Sequence, residues 1–108
     1  MAAVIHEKGS PAVFRWEDVA VPAPGPGEVR LRHTVIGVNV ADTYHRAGID
    51  HPWKVPSLPC LIGFEAVGLV TEVGPGVEQF RTGRRAVCGV PPLGACGEER
   101  NYPAKYLV

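Results

Sequence analysis

The sequence predicts a small, mainly β domain carrying one short polar helix. Three observations predict it. Glycine and proline are unusually frequent, 13 and 11 among 108 residues, against about 12% for the pair in an average protein, which favours many turns and short strands. Glu28 to Gly37 and Val67 to Val73 carry the two-residue side-chain period of extended chain. Val38 to Gly48 alone breaks that period and is bracketed by helix start and stop residues. At this length one domain, residues 1–108, can bury a core of its own, and two ordinary domains cannot.

Ala2 to His6 is a short apolar run closed by Lys8, Gly9, Ser10 and Pro11, a first strand and its turn. Ala12 to Val21 alternates imperfectly and predicts an edge strand. Phe14 and Trp16 share one of its faces, the pattern of core or strand-pair aromatics rather than a ligand platform. Pro22-Ala23-Pro24-Gly25-Pro26-Gly27 is a rigid turn, because three of its residues lack an amide proton and two lack a Cβ.

Glu28 to Gly37 gives the cleanest strand, with Val29, Leu31, His33 and Val35 on one face. A histidine on that face is expected to be buried or at the rim and hydrogen-bonded, not a ligand. The helix then runs to Gly48, with Asn39 as N-cap and Gly48 as its stop. His51 to Ile62 carries three prolines and one large aromatic, Trp53, and predicts a covering loop. In Gly63 to Val87 one strand ends at the turn Gly74-Pro75-Gly76, and Gly83-Arg84-Arg85 feeds another. Gly63 and Gly68 mark places where a bulge, a corner or another backbone comes close. Cys88 to Gly97 is a further loop, and the chain ends on an apolar strand signal, Tyr106-Leu107-Val108, that looks interrupted.

Eleven basic against eleven acidic residues leave zero formal charge, so nothing attracts nucleic acid or an anionic membrane surface. No stretch approaches the 18 or so apolar residues of a membrane span, and the N-terminus has no signal-peptide pattern. Cys60, Cys88 and Cys96 form no C-x-x-C pair, which reads as three reduced thiols. Together these features predict a soluble, cytoplasmic protein.

Candidate chemistry concentrates in Asn39, Asp42, Tyr44, His45 and Arg46, the dense polar cluster of the helix. Asp42 and Arg46 stand at the i,i+4 spacing of an exposed ion pair. Tyr44 is either a phenolic donor to a substrate oxygen or a half-buried aromatic. Glu65 is either a general base or a paired structural charge. His45, His51 and Cys60 lack the closed spacing of a zinc site. The glycine pairs at 25/27 and 74/76 are followed by Arg30 and Gln79 where a dinucleotide loop needs its third glycine, so neither is a nucleotide loop.

Taken together, PGPGEVRLRHTVIGVNVADTYHRAG and GFEAVGLVTEVGPGVEQFRTGRRAV closely resemble the N-terminal, GroES-like domain of zinc-independent quinone oxidoreductases, a branch of the medium-chain dehydrogenases/reductases. The similarity covers residues 2 to 108. It implies a partly open β-barrel with one or two short helices, followed in family members by a Rossmann domain that binds NADPH. Zinc-dependent relatives carry a cysteine ligand where this chain has Asn39 and a histidine ligand where it has Phe64. The resemblance therefore implies no zinc, since phenylalanine has no donor atom and a neutral amide is a poor substitute for a thiolate.

Residue by residue, the resemblance implies that Asn39 and Tyr44 stand beside the nicotinamide and the reacting substrate. It places Phe64, Arg46 and Asp50 on the substrate side of the cleft. The implied substrate is a quinone or an α,β-unsaturated carbonyl. No βαβ unit with a glycine fingerprint exists in these residues, so they are expected to carry no Rossmann domain. The chain is expected to be the substrate half of a truncated or split enzyme, inactive alone. The alternative is a non-catalytic module or gene fragment, with a protein partner covering its exposed cleft face.

Overall fold

The computed structural model of the chain describes residues 1–49 and 57–108. In chain order the elements are β1 (Ala2–Ile5), β2 (Phe14–Glu17), β3 (Glu28–Gly37), α1 (Val40–Ala47), β4 (Cys60–Leu61), β5 (Glu65–Val73), β6 (Arg85–Cys88) and β7 (Glu99–Pro103). They form a three-stranded sheet, β2-β1-β4, and a four-stranded sheet, β6-β5-β3-β7. Every pairing is antiparallel, and neither sheet closes into a barrel. The mainly β expectation and the single polar helix hold.

The larger sheet owes its shape to two bulges in the β3–β5 ladder. Arg30 faces Glu72 and Leu31 faces Val70, which leaves Thr71 as an extra residue on β5; His33 faces Gly68 and Val35 faces Val67, which leaves Thr34 as an extra on β3. Each extra residue switches which face the following side chains take. The apolar face expected along β3 therefore holds at Val29 and Leu31, both fully buried, and is lost at Val35, which is 63% exposed. On β5 the core face is Ala66, Gly68 and Val70. Val73, beyond the bulge, packs against the same core.

That core joins Val29 and Leu31 of β3, Ala66 and Val70 of β5, Ala86 and Cys88 of β6 and Tyr102 of β7. A smaller cluster of Ile5, Cys60 and Ile62 lies under the other sheet. Gly68 crosses β3 so closely that a Cβ would stand 2.7 Å from the Arg32 carbonyl oxygen. This is the close backbone approach expected for a glycine in that strand.

Three expectations are corrected. The second strand begins at Phe14, not Ala12, because Pro11 starts a 3-10 turn capped by the Ser10 hydroxyl. It ends at Glu17, and the proline-rich segment after it is tied down by side chains: Arg30 donates to the Val21 and Pro22 carbonyls, and Asn101 donates to Pro22. Of the two expectations for Phe14 and Trp16, that of strand-pair aromatics holds and that of core residues does not. Both residues sit on an edge strand opposite Ile5 and Ala3 with 40% and 66% of their surface exposed, because among the described residues no further strand lies beyond β2. The apolar end of the chain is a 3-10 turn, Ala104–Tyr106, followed by extended Leu107 and by Val108, which exchanges both backbone bonds with Val87.

The strip from Cys96 to Glu98 joins the two sheets. Ala3 N–H donates to Cys96 O (2.8 Å), His33 N–H to Glu98 O (2.7 Å) and Glu98 N–H to Met1 O (2.9 Å). Sheet one is thereby fixed to β3 through backbone bonds.

Candidate functional site

Helix α1 starts where β3 leaves the sheet. Asn39 is its N-cap, in extended conformation. Its N–H donates to Asp42 Oδ2 (2.9 Å), and the Asp42 N–H returns to Asn39 O (3.0 Å), so the first turn closes around these two residues. At the other end Gly48 takes a left-handed conformation, and its N–H reaches the Tyr44 carbonyl. The expected start and stop are both in place.

Across from the N-cap, Gly63 turns the chain into β5. Its φ of +117° and the 2.4 Å that would separate a Cβ from the Cys96 nitrogen admit only glycine there. The turn sets Phe64 on the floor beside the helix, buried to 5% exposure and stacked on the His45 ring with centroids 5.1 Å apart. Asn39, Val40, Ala41, Phe64, Glu65 and Gly89 then line one cleft of about 430 Å³. A second hollow shares Glu65 and Gly89 and continues over Val35, Val67 and Val87. Exposed Val38, Val40, Val87 and Val90 make the surroundings of the cleft apolar.

Of the residues expected at the site, the fold brings Asn39 and Phe64 together. Tyr44 stands one turn along the helix, three and four residues from Ala41 and Val40 and so on their face. It is half-buried and outside the cleft lining. Arg46 points the other way, donating to Gly9 O (2.7 Å) while Gly9 N–H bonds Arg46 O (2.9 Å). That reciprocal clip replaces the ion pair with Asp42. Asp50 lies outside the described residues, as do His51 and Trp53.

Glu65 was visible in the sequence as a possible base, and the fold places it on the cleft wall. Gly89 was not, since a glycine after a strand end carries no chemical signal. Asp42 is buried to 4% exposure, which pushes its carboxyl above the usual range against the opposing Asn39 N–H bond, and the Glu65 charge adds to the rise. Burial likewise raises the Cys96 thiol, with the Asp42 charge as a second cause. Cys96 and Asp42 both line a separate apolar groove with Phe14, Trp16, Ile36 and Val38. Among the described residues no three His, Cys, Asp or Glu side chains converge as a metal site would require, and no helix is long and apolar enough to cross a membrane.

Residues 25–106 match the alcohol dehydrogenase GroES-like domain. The chain belongs to that family. It is 59% identical over its whole length to a 2-haloacrylate reductase of Burkholderia sp, covering 32% of that protein. It is 41% identical over 90 residues to a quinone oxidoreductase of Pseudomonas aeruginosa, covering 83% of this chain and 27% of the relative. The crystal structure of Escherichia coli quinone oxidoreductase complexed with NADPH superposes with a TM-score of 0.91 at 34% identity, over 99% of this chain and 32% of that one. The chain thus spans about a third of the length of the relatives it matches.

Proposed function

We propose that this GroES-like domain forms the substrate wall of an NADPH-dependent, zinc-independent reductase of quinones or α,β-unsaturated carbonyls. The observation that carries the reading is the pairing of Asn39 with Phe64 on one cleft. These are the two positions at which the resemblance puts zinc ligands in metal-dependent relatives. A phenylalanine ring offers a metal nothing, and here it is already stacked on His45. The donor set therefore does not fit zinc.

NADPH, when bound by a partner dinucleotide domain, supplies the hydride. This chain supplies the walls. Phe64 and Val40 give an apolar surface for a flat unsaturated ring. The Asn39 carboxamide can donate to the carbonyl oxygen that gains negative charge as the substrate is reduced, a hydrogen bond stronger in the transition state than before it. Tyr44 lies on the same helix face one turn beyond the cleft lining, and its part as a second, phenolic donor is carried by the family resemblance alone.

The test is a chimera in which this chain replaces the corresponding first third of the E. coli enzyme. NADPH-dependent reduction of a benzoquinone is expected, and Asn39→Ala should lower kcat by roughly a hundred- to a thousandfold, the size of effect seen when a charge-stabilising donor is removed. A folded chimera that binds NADPH and reduces neither quinone nor enone overturns the reading.

A further inference from the structure

Arg100 is buried to 6% exposure, and among the described residues no carboxylate pairs with it. An uncompensated guanidinium in a core is costly and persists where its hydrogen bonds do something specific. Its Nη1 donates to Pro92 O (2.8 Å) and its Nη2 to Cys88 Sγ (3.0 Å), while Nε has no partner among the described residues. The Cys88 thiol in turn donates to Ala66 O (3.6 Å). The guanidinium lies over the Tyr102 ring, 4.4 Å from its centroid, and the Tyr102 hydroxyl donates to Val90 O (2.7 Å). Two side chains of β7 therefore hold residues 88, 90 and 92, on either side of Gly89 and beyond it. Gly89 is the one residue of that segment in the cleft wall.

We infer that Arg100, with Tyr102, is the positioning residue of the far wall of the cleft. It sets where Gly89 stands relative to Asn39 and Phe64. Arginine is needed because one planar fork must reach a carbonyl and a sulfur at once while stacking on a ring; a lysine ammonium can satisfy one of these. Methionine can fill the space and satisfies neither bond. The clamp is a statement about the chain itself, whereas its bearing on catalysis rests on the reductase reading.

The three thiols make the test local. In the 108-residue chain, alkylation by iodoacetamide is followed at each cysteine by peptide mass. Cys88 belongs to the clamp, while Cys60 lies under the other sheet and serves as the control. Arg100→Met and Arg100→Lys should each speed Cys88 labelling roughly tenfold and leave Cys60 unchanged, and Tyr102→Phe should do so by a smaller factor. If Cys60 accelerates in step with Cys88, Arg100 acts on global stability and the inference fails. If Arg100→Lys labels like the parent, charge alone suffices and the clamp is refuted. In the chimera, Tyr102→Phe should raise KM for the quinone at nearly constant kcat, and an unchanged KM removes the link to the cleft. A clamp seen by labelling in an inactive chimera sinks only the reductase reading.

Discussion

Single atoms decide the most constrained positions of this fold. Gly68 crosses Arg32 with no room for a methyl group, and the obstacle is a backbone carbonyl that can move only with its strand. Gly68→Ala should therefore cost about 2 kcal/mol or more in urea unfolding, in the range of core overpacking. A variant within about 0.5 kcal/mol of the parent would show that β3 and β5 can part without loss. The glycine's role was legible, because a missing Cβ inside a strand pattern has few explanations. The burial of Arg100 was not. Nothing in Glu98 to Asn101 distinguishes an arginine that enters the core from one that leaves it, since its partners are a sulfur twelve residues back and a ring two residues on. Phe14 and Trp16 misled for a related reason: an aromatic pair on a strand announces a face, and only the sheet order says whether anything lies on it.

At the scale of elements, helix α1 shows how a carboxylate can serve a cap and still oppose stability. Asp42 accepts the Asn39 N–H, but burial raises its pKa above the 3.8 of an ordinary aspartate. A group whose folded pKa is raised gives its full contribution below the unfolded value and loses it as pH rises through the folded one. Asp42→Asn keeps an oxygen for the cap and removes the charge. Its stability relative to the parent should climb as pH rises from about 3.8 and then level off, whereas Asp42→Ala, lacking the acceptor, should lie about 1 kcal/mol below Asp42→Asn throughout. Thermal unfolding between pH 3 and 7 checks both, and an advantage of asparagine that shrinks with rising pH would contradict the account. The helix limits were legible from Asn39 and Gly48. What they could not reveal is that Asp42 faces inward and Arg46 closes on Gly9, because spacing fixes neighbours along a helix but not the direction in which the helix is docked.

The whole molecule is two sheets joined by the strip from Cys96 to Glu98, and its acid stability should be set there. His33 Nδ1–H donates to Gly97 O (2.7 Å), so the neutral ring carries its lone pair on Nε2, which is buried with no hydrogen-bond partner among the described residues. Burial lowers the pKa of His33 below 6.5, the nearby Arg100 charge lowers it further, and the Gly97 bond only partly opposes them. The unfolded chain therefore takes up this proton first. Stability contributed by the neutral ring is complete above about pH 6.5 and is lost as pH falls toward the folded pKa, below which the slope ends. Asp42 titrates with the opposite sign, so the two must be separated: in an Asp42→Asn background, His33→Gln should flatten the fall in unfolding free energy below pH 6.5. A histidine on the apolar face of β3 was foreseeable from alternation, and its hydrogen bond was expected. Its place at the junction was not, because the carbonyl it holds lies 64 residues away and belongs to the strip that carries β1. If the slope below pH 6.5 survives His33→Gln unchanged, the junction is not where protons enter. The acid sensitivity of the fold would then have to come from its paired surface charges, of which the N-terminal ammonium on Glu98, also on that strip, is the first to remove.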